Sequence, residues 1–181
     1  MNETESWLSD FAAALKRNDI AAVTALFADG GYWRDLVAFT WNIVTFEGRP
    51  AIADMLSARL GEVKPEGFKA DVRDGWFTFE TAVGRGRGRV VLKDGKAVTL
   101  LTSMTELKGF EEKAGPTRPL GTQHGAFRDR MTWTDRRRAD AAELGVTRQP
   151  YVLIVGGGQG GIALGARLKR IGVPALVVDA H

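Results

Sequence analysis

The stretch that decides how this chain reads is YVLIVGGGQGGIALGARLKRIGVPALVVD, residues 151–179. Tyr151 to Val155 is a short continuous apolar run, the pattern of a buried parallel strand. Gly156-Gly157-Gly158-Gln159-Gly160-Gly161 follows without a break and reads G-x-G-x-x-G at Gly156, Gly158 and Gly161. Ile162, Leu164, Leu168 and Ile171 then recur at helical spacing, with Gly161, Gly165 and Ala166 on the side that would meet a sheet. Gly172 ends this helix, Val173 to Val178 is a second apolar strand, and Asp179 stands at its tip. The order strand, glycine turn, helix, strand is that of one βαβ unit.

Each position has a chemical reason. Gly156 permits the tight turn out of the strand. Gly158 lacks a Cβ, so backbone can approach a pyrophosphate, and Gly161 lets the helix sit close to the strand. The helix N-terminus offers unpaired N–H groups and the positive end of its dipole to phosphate. Asp179 lies 18 positions after Gly161 and can accept hydrogen bonds from ribose hydroxyls. A 2′-phosphate would meet that carboxylate, so the half-site suits FAD or NAD better than NADP. The candidate cofactor-binding residues are Gly156, Gly157, Gly158, Gln159, Gly160, Gly161 and Asp179. No catalytic residue and no metal ligand can be named.

Upstream, residues 114–149 read as a connector holding Pro116, Pro119, Gly121 and Gly125. Thr134 to Leu144 is predicted as a helix with Arg136, Arg137 and Arg138 exposed. Residues 116–150 carry seven arginines, no lysine and four acids, which fits docking between domains rather than phosphate reading. Gly121-Thr122-Gln123-His124-Gly125 holds one of the two histidines, and its expected role is a turn or a packing contact.

Residues 1–113 carry the signals of a separate domain. Trp7, Leu8, Phe11, Ala14 and Leu15 lie at helical spacing over Thr4–Arg17, with Thr4 or Asn2 as the cap. A second helix is predicted over Ile20–Ala28, stopped by Asp29-Gly30-Gly31. Tyr32 to Phe46 fits a single strand, and Ala51–Leu60 a third helix entered through Glu47-Gly48-Arg49-Pro50. Phe68–Arg73, Trp76–Arg85, Gly88–Leu92 and Ala97–Glu106 read as strands. Asp74-Gly75, the Gly84/Gly86 stretch and Asp94-Gly95 separate them, and the Asp-Gly pairs signal hairpins. The expected unit is α+β, with helices on one face of a curved antiparallel sheet.

Two resemblances follow from these residues. Leu26-Phe27-Ala28, Trp33-Arg34-Asp35 and Glu47-Gly48-Arg49-Pro50-Ala51-Ile52, in this order of elements, resemble the NTF2-like, SnoaL-type cone over about 110 residues. Residues 150–181 resemble the start of the Rossmann-type FAD-binding domain of flavin-containing monooxygenases and their Baeyer–Villiger relatives. One group of these fuses an NTF2-like domain in front of the flavoprotein. Its connector is similar to Leu120-Gly121-Thr122-Gln123-His124-Gly125 and Trp133-Thr134-Asp135-Arg136-Arg137. The resemblance implies an FAD-dependent oxidoreductase, a monooxygenase, in which NADPH reduces the flavin and oxygen passes to a soft nucleophile or a ketone. It also implies further strands and an NADPH site beyond His181. The expectation is therefore the N-terminal portion of a longer flavoprotein, inactive as these 181 residues alone.

Composition bounds the alternatives. With 44% hydrophobic and 26% charged residues the chain is an ordinary globular protein. The absence of cysteine excludes disulfides, thiolate metal sites and cysteine nucleophiles, and the expected setting is cytoplasmic. Net charge is +3, and residues 1–60 carry five bases and eight acids, so no nucleic-acid partner is expected. No apolar run is long enough to span a bilayer, so no membrane partner is expected either. The alternative function is an NTF2-like small-molecule binding or isomerase domain with a non-functional tail. Trp33, Asp35, Trp41 and Trp76 would then line its pocket and Asp35 would act as the base. A homodimer through the open sheet fits either reading.

Overall fold

The computed structural model describes residues 3–118 and 131–180. The chain forms two compact units, Met1–Glu111 and Glu112–His181. In the first, α1 (Glu3–Lys16) buries Trp7, Leu8, Phe11, Ala14 and Leu15, the set its spacing picks out. Thr4 is buried within the first turn rather than capping it, and Asn2 lies outside the described residues. The Asp19 side chain caps α2 (Ile20–Ala25), accepting from the Ala22 N–H at 2.9 Å. This helix stops before the expected Ala28, because Phe27 opens strand β1 (Phe27–Leu36) and points into the core.

Asp29-Gly30-Gly31, expected to end a helix, form the irregular part of β1, where its register shifts between Phe27 and Tyr32. A Cβ on Gly31 would stand 2.8 Å from the Ala97 carbonyl oxygen, so only glycine fits there. Arg49 holds this bulge: Nε and Nη2 donate to the Phe27 carbonyl at 2.8 and 2.6 Å, and Nη1 pairs with Asp29 at 2.8 Å. The expected single strand over Tyr32–Phe46 is an antiparallel hairpin of β1 with β2 (Ile43–Glu47). Next, α3 (Gly48–Val63) runs longer than Ala51–Leu60 and ends at Lys64 in the left-handed region.

The remaining strands are β3 (Glu66–Ala70), β4 (Trp76–Glu80), β5 (Gly84–Lys93) and β6 (Lys96–Leu107), in sheet order β2-β1-β6-β5-β4-β3. Asp74-Gly75 and Asp94-Gly95 make turns as expected, with Gly75 and Gly95 at φ 73° and 74°. The sheet is mixed, which corrects the antiparallel expectation: β6 lies parallel to β1, Trp33 opposite Leu100 and Asp35 opposite Thr102. The β5–β6 hairpin occupies one edge of β6, and the other takes β1, which runs in the same direction. The intervening chain is long enough for that crossover.

Gly84 and Gly86, expected to separate strands, lie inside β5. Gly84, Gly86 and Gly88 are buried, whereas Arg85, Arg87 and Arg89 alternate with them toward solvent. The glycines make room for rings: a Cβ on Gly86 would stand 2.5 Å from the Phe79 ring, and one on Gly88 would collide with Phe77. Phe77, Phe79, Trp33, Phe27 and Phe11 fill the space between helices and sheet.

The second unit contains a 3₁₀ turn (Gly115–Thr117), α4 (Trp133–Glu143), β7 (Val152–Val155), α5 (Gln159–Arg170) and β8 (Ala175–Val178). A capping box opens α4: Thr132 Oγ1 accepts from the Asp135 N–H, and Asp135 Oδ2 accepts from the Thr132 N–H. This helix buries nothing, and Arg136, Arg137 and Arg138 are exposed. β7 and β8 pair in parallel, Val152 opposite Ala175 through Val155 opposite Val178. They are not the buried strands expected from their composition. Only Ile154 is buried in the pair, and Val155 is 83% exposed, because a single helix covers one face. Among the described residues no helix is long and apolar enough to cross a membrane.

Two outcomes follow for the first unit. Gly88→Ala should lower its stability by about 1–3 kcal/mol, the usual cost of overpacking. An unchanged urea midpoint would contradict the ring-over-glycine packing. Arg85 bonds both Glu106 and Glu111 at 2.9 Å, and its hydrogen bond holds the Glu111 carboxyl down at about 2. A depressed folded value means the contribution is present above the ordinary 4.5 and fades as pH falls toward 2. Glu111→Gln should therefore flatten the acid limb of the stability curve in that window and leave pH 7 to 8 parallel to wild type.

Candidate functional site

Two places in the chain concentrate chemistry, one in each unit. The first is the glycine turn of the second unit. Gly156 leaves β7 at φ 105°, a value that favours glycine, and its N–H donates to the Val178 carbonyl at 2.8 Å. Gly158 is the N-cap of α5, and its carbonyl accepts the Ile162 N–H at 2.9 Å. The N–H groups of Gln159, Gly160 and Gly161 belong to the first turn and have no partner within the helix.

The glycines differ in what confines them. A Cβ on Gly161 would collide with the Gly156 carbonyl, and one on Gly165 would stand 3.2 Å from Val177 Cγ2. These two let α5 lie against β7 and β8. Around Gly158 and Gly160 a Cβ would meet nothing within 4 Å. Packing thus requires Gly161, while Gly158 faces open space at a helix N-terminus, where a phosphate would approach.

Asp179 belongs to the same cluster. Its Oδ2 accepts the Gly157 N–H at 2.8 Å and its Oδ1 the Ala180 N–H at 2.7 Å. A Cβ on Gly157 would stand 2.5 Å from Asp179 Oδ2, so this glycine makes the bond possible. A carboxylate offers about four acceptor positions, and two remain for ribose hydroxyls. The structure therefore brings Gly156, Gly157, Gly158, Gln159, Gly160, Gly161 and Asp179 together at one end of the βαβ unit. Arg167 on α5 makes a two-pronged pair with Glu112 at 2.8 and 2.6 Å, which holds the Glu112 carboxyl below its ordinary value. Gly121-Thr122-Gln123-His124-Gly125 lies outside the described residues.

The second place is Asp35 in the first unit. It is a strand residue with no exposure, and it is not open to a substrate. Oδ1 accepts from Thr102 Oγ1 at 2.7 Å. Oδ2 accepts from the N–H groups of Phe39 and Thr40 at 3.0 and 2.9 Å and from Thr40 Oγ1 at 2.8 Å. Thr102 in turn accepts from Trp33 Nε1 at 2.8 Å. The four residues proposed to share a pocket do not meet in one. Trp33 is core, Trp41 is 61% exposed, and Trp76 is stacked with Arg73, Arg87 and Arg89.

Sequence reading missed Thr102, Phe39 and Thr40. Thr102 could have been found by parity, since it shares the inward face of β6 with Leu100. A cavity of about 610 Å³ does exist in this unit, lined among others by Leu15, Lys16, Leu60, Lys64 and Phe68. Among the described residues no cluster of acids and histidines could hold a metal ion.

No protein-family model matches the chain, and no curated protein does. Among solved structures it is similar to an NTF2-like protein of unknown function from Burkholderia pseudomallei. The two are 14% identical with a TM-score of 0.46, covering 58% of this chain and 92% of that one. A candidate isomerase from Bacillus subtilis is 18% identical, with a TM-score of 0.46 over 58% of this chain and 90% of its own. Bal32a, from a soil-derived mobile gene cassette, is 15% identical, with a TM-score of 0.46 over 61% and 95%. At such identities and scores the likeness is no guide to activity. What the first unit can do follows from its own geometry.

The contrast between the glycines is testable without a ligand. Gly161→Ala should open the βαβ unit and raise amide exchange across Leu153–Val155, whereas Gly158→Ala should leave exchange there unchanged. Equal effects of the two would contradict the division of roles.

Proposed function

We propose that β7, α5 and the turn between them bind the pyrophosphate of a dinucleotide. The cofactor we propose is FAD, in an oxidoreductase of monooxygenase type supplied with electrons by NADPH. The observation that carries this reading is Gly158: a glycine that packing does not require, at a helix N-terminus, beside an acid at the tip of the next strand. Bound FAD would supply the redox chemistry, taking up a hydride equivalent and passing electrons to oxygen. The chain's own residues would bind and orient it. The first-turn N–H groups of Gln159, Gly160 and Gly161 would face the phosphates, with the helix dipole adding favourable charge. Asp179 would hold the ribose through its free acceptor positions and disfavour a 2′-phosphate there. None of the residues described is assigned to NADPH or to the oxygenated substrate.

The test is flavin retention. FAD added to the purified protein should be held, with its fluorescence altered on binding. Gly158→Val should abolish this without changing the fold. Asp179→Ala should weaken it about ten- to a hundredfold, the worth of roughly 1.5–3 kcal/mol in charge-assisted hydrogen bonds. Protein that ignores FAD yet binds NAD tightly would leave a nicotinamide-dependent oxidoreductase in its place.

A second reading, with a different observation behind it, makes the first unit a small-molecule binding or isomerase-type module. The 610 Å³ cavity beside Leu15, Leu60 and Phe68 supports binding. The closed surroundings of Asp35 weigh against base catalysis in the resting structure. Exposed Tyr32 and Val91 lie on the outer sheet face, where a second copy would pair. Sedimentation at rising concentration reads that dimer directly.

A further inference from the structure

On β5 the glycines that receive the Phe77 and Phe79 rings also decide which way the arginines between them point. A one-residue slip would drive those rings into arginine side chains, so Arg87 and Arg89 are held on the outer sheet face. Arg87 lies between Thr78 of β4 and Ser103 of β6, and Thr78 in turn lies opposite Lys69 of β3. Directly opposed residues share a face with their Cβ atoms about 5 Å apart, so Lys69, Thr78, Arg87 and Ser103 form one row across four strands. Arg89, opposite Trp76, belongs to the next row.

The guanidinium groups are oriented before anything binds. Arg87 and Arg89 stand over the Trp76 ring, 5.1 and 5.9 Å from its centre, and Arg73 stands at 5.4 Å. Arg73 is engaged with Asp71, to which its Nη2 donates at 2.8 Å. Arg87 Nη2 is 3.6 Å from the same carboxylate, beyond hydrogen-bond reach. Among the described residues, Arg87 and Arg89 donate no side-chain hydrogen bond, and neither the Thr78 nor the Ser103 hydroxyl makes one. Glu3 and Asp74 border a cleft of about 170 Å³ with Arg89 and form no ion pair with it, which leaves Arg87 the centre of the group.

We propose that this row is a binding site for a phosphate group, either free or as the monoester end of a small molecule. A guanidinium presents parallel N–H donors that match two phosphate oxygens, and stacking on a ring holds that fork in place. Arg87 supplies the fork, the Thr78 and Ser103 hydroxyls reach the group from either side, and Arg89 and Lys69 balance its second charge. A carboxylate brings one charge and two oxygens and leaves part of the row unpaired, so the site discriminates against it. The site lies in the first unit and stands or falls apart from the nucleotide reading of the second.

The experiment titrates the full chain with inorganic phosphate at fixed ionic strength, with acetate as control and phenyl phosphate as a second arm. The NMR signals followed are the Arg87 and Arg89 side-chain Nε–H, the Trp76 indole N–H and the Ser103 amide. Phosphate should move all four saturably, and acetate should need about tenfold more or beyond, the factor one charge-assisted hydrogen bond translates to. Phenyl phosphate that binds more tightly than phosphate assigns the site to a monoester, and phenyl phosphate that binds no more tightly assigns it to the free ion. Arg87→Lys keeps the charge, loses the fork, and should weaken binding about ten- to a hundredfold, whereas Ser103→Ala should weaken it roughly three- to tenfold. Three results overturn the proposal. One is acetate that moves the four signals as readily as phosphate does. Another is phosphate that leaves them in place, or moves only the amides of residues 156–161. The third is an Arg87→Lys protein, folded by its melting transition, that binds phosphate as the unaltered chain does.

Discussion

The Asp35 carboxylate has no access to water, and its need for hydrogen bonds organises the first unit. Removing such a group from solvent costs several kcal/mol unless donors replace the water. They come from two parts of the chain, strand β6 and the loop after β1. Thr102 sits opposite Asp35 in the parallel pairing of β1 with β6, so the carboxylate and the hydroxyl fix that register together. Trp33, two residues earlier on the same face, donates to the same hydroxyl. The loop after β1 supplies the rest and carries Phe39 into the aromatic core as it does so. A one-residue slip of β1 would turn Trp33 and Asp35 outward together, losing the network and the core ring in one move.

What could be read from the sequence follows from how local each determinant is. The first helix was legible because Trp7, Leu8, Phe11, Ala14 and Leu15 carry their burial in their spacing, and the third because Gly48-Arg49-Pro50 marks its entry. The Asp74-Gly75 and Asp94-Gly95 turns were legible because a positive φ at glycine is a property of those residues. The parallel join of β1 to β6 was not, since it depends on partners far apart in sequence. Gly86 and Gly88 misled for a related reason. Their lack of a side chain serves rings on the neighbouring strand, and nothing local says whether a glycine marks a turn or a space for Phe77 and Phe79. Asp35 reads from the sequence as a pocket-lining base, and only its partners, Thr102 opposite it among them, reveal a closed and buried carboxylate.

In the second unit the motif was legible and the burial was not. Spacing alone placed Gly156, Gly158, Gly161 and Asp179, and the structure brings them to one end of β7 and α5. The apolar composition of β7 suggested burial on both faces, whereas most of its side chains remain exposed. Geometry adds the distinction that spacing cannot draw. Gly161 is fixed by contact with the strand, Gly157 by the approach of Asp179, and Gly158 by neither. The proposed nucleotide site rests on that glycine, which packing does not require, at a helix N-terminus beside an acid.

The most direct measurement is a titration of the full chain with FAD, followed residue by residue through the backbone amide signals. The account predicts that the amides of Gly157, Gly158, Gly160 and Gly161 move most, with Ala180 beside Asp179, while Gly95 and Gly172 stay in place. Shifts absent from residues 156–161, or confined to those around the 610 Å³ cavity at Leu15, Leu60 and Phe68, would contradict it.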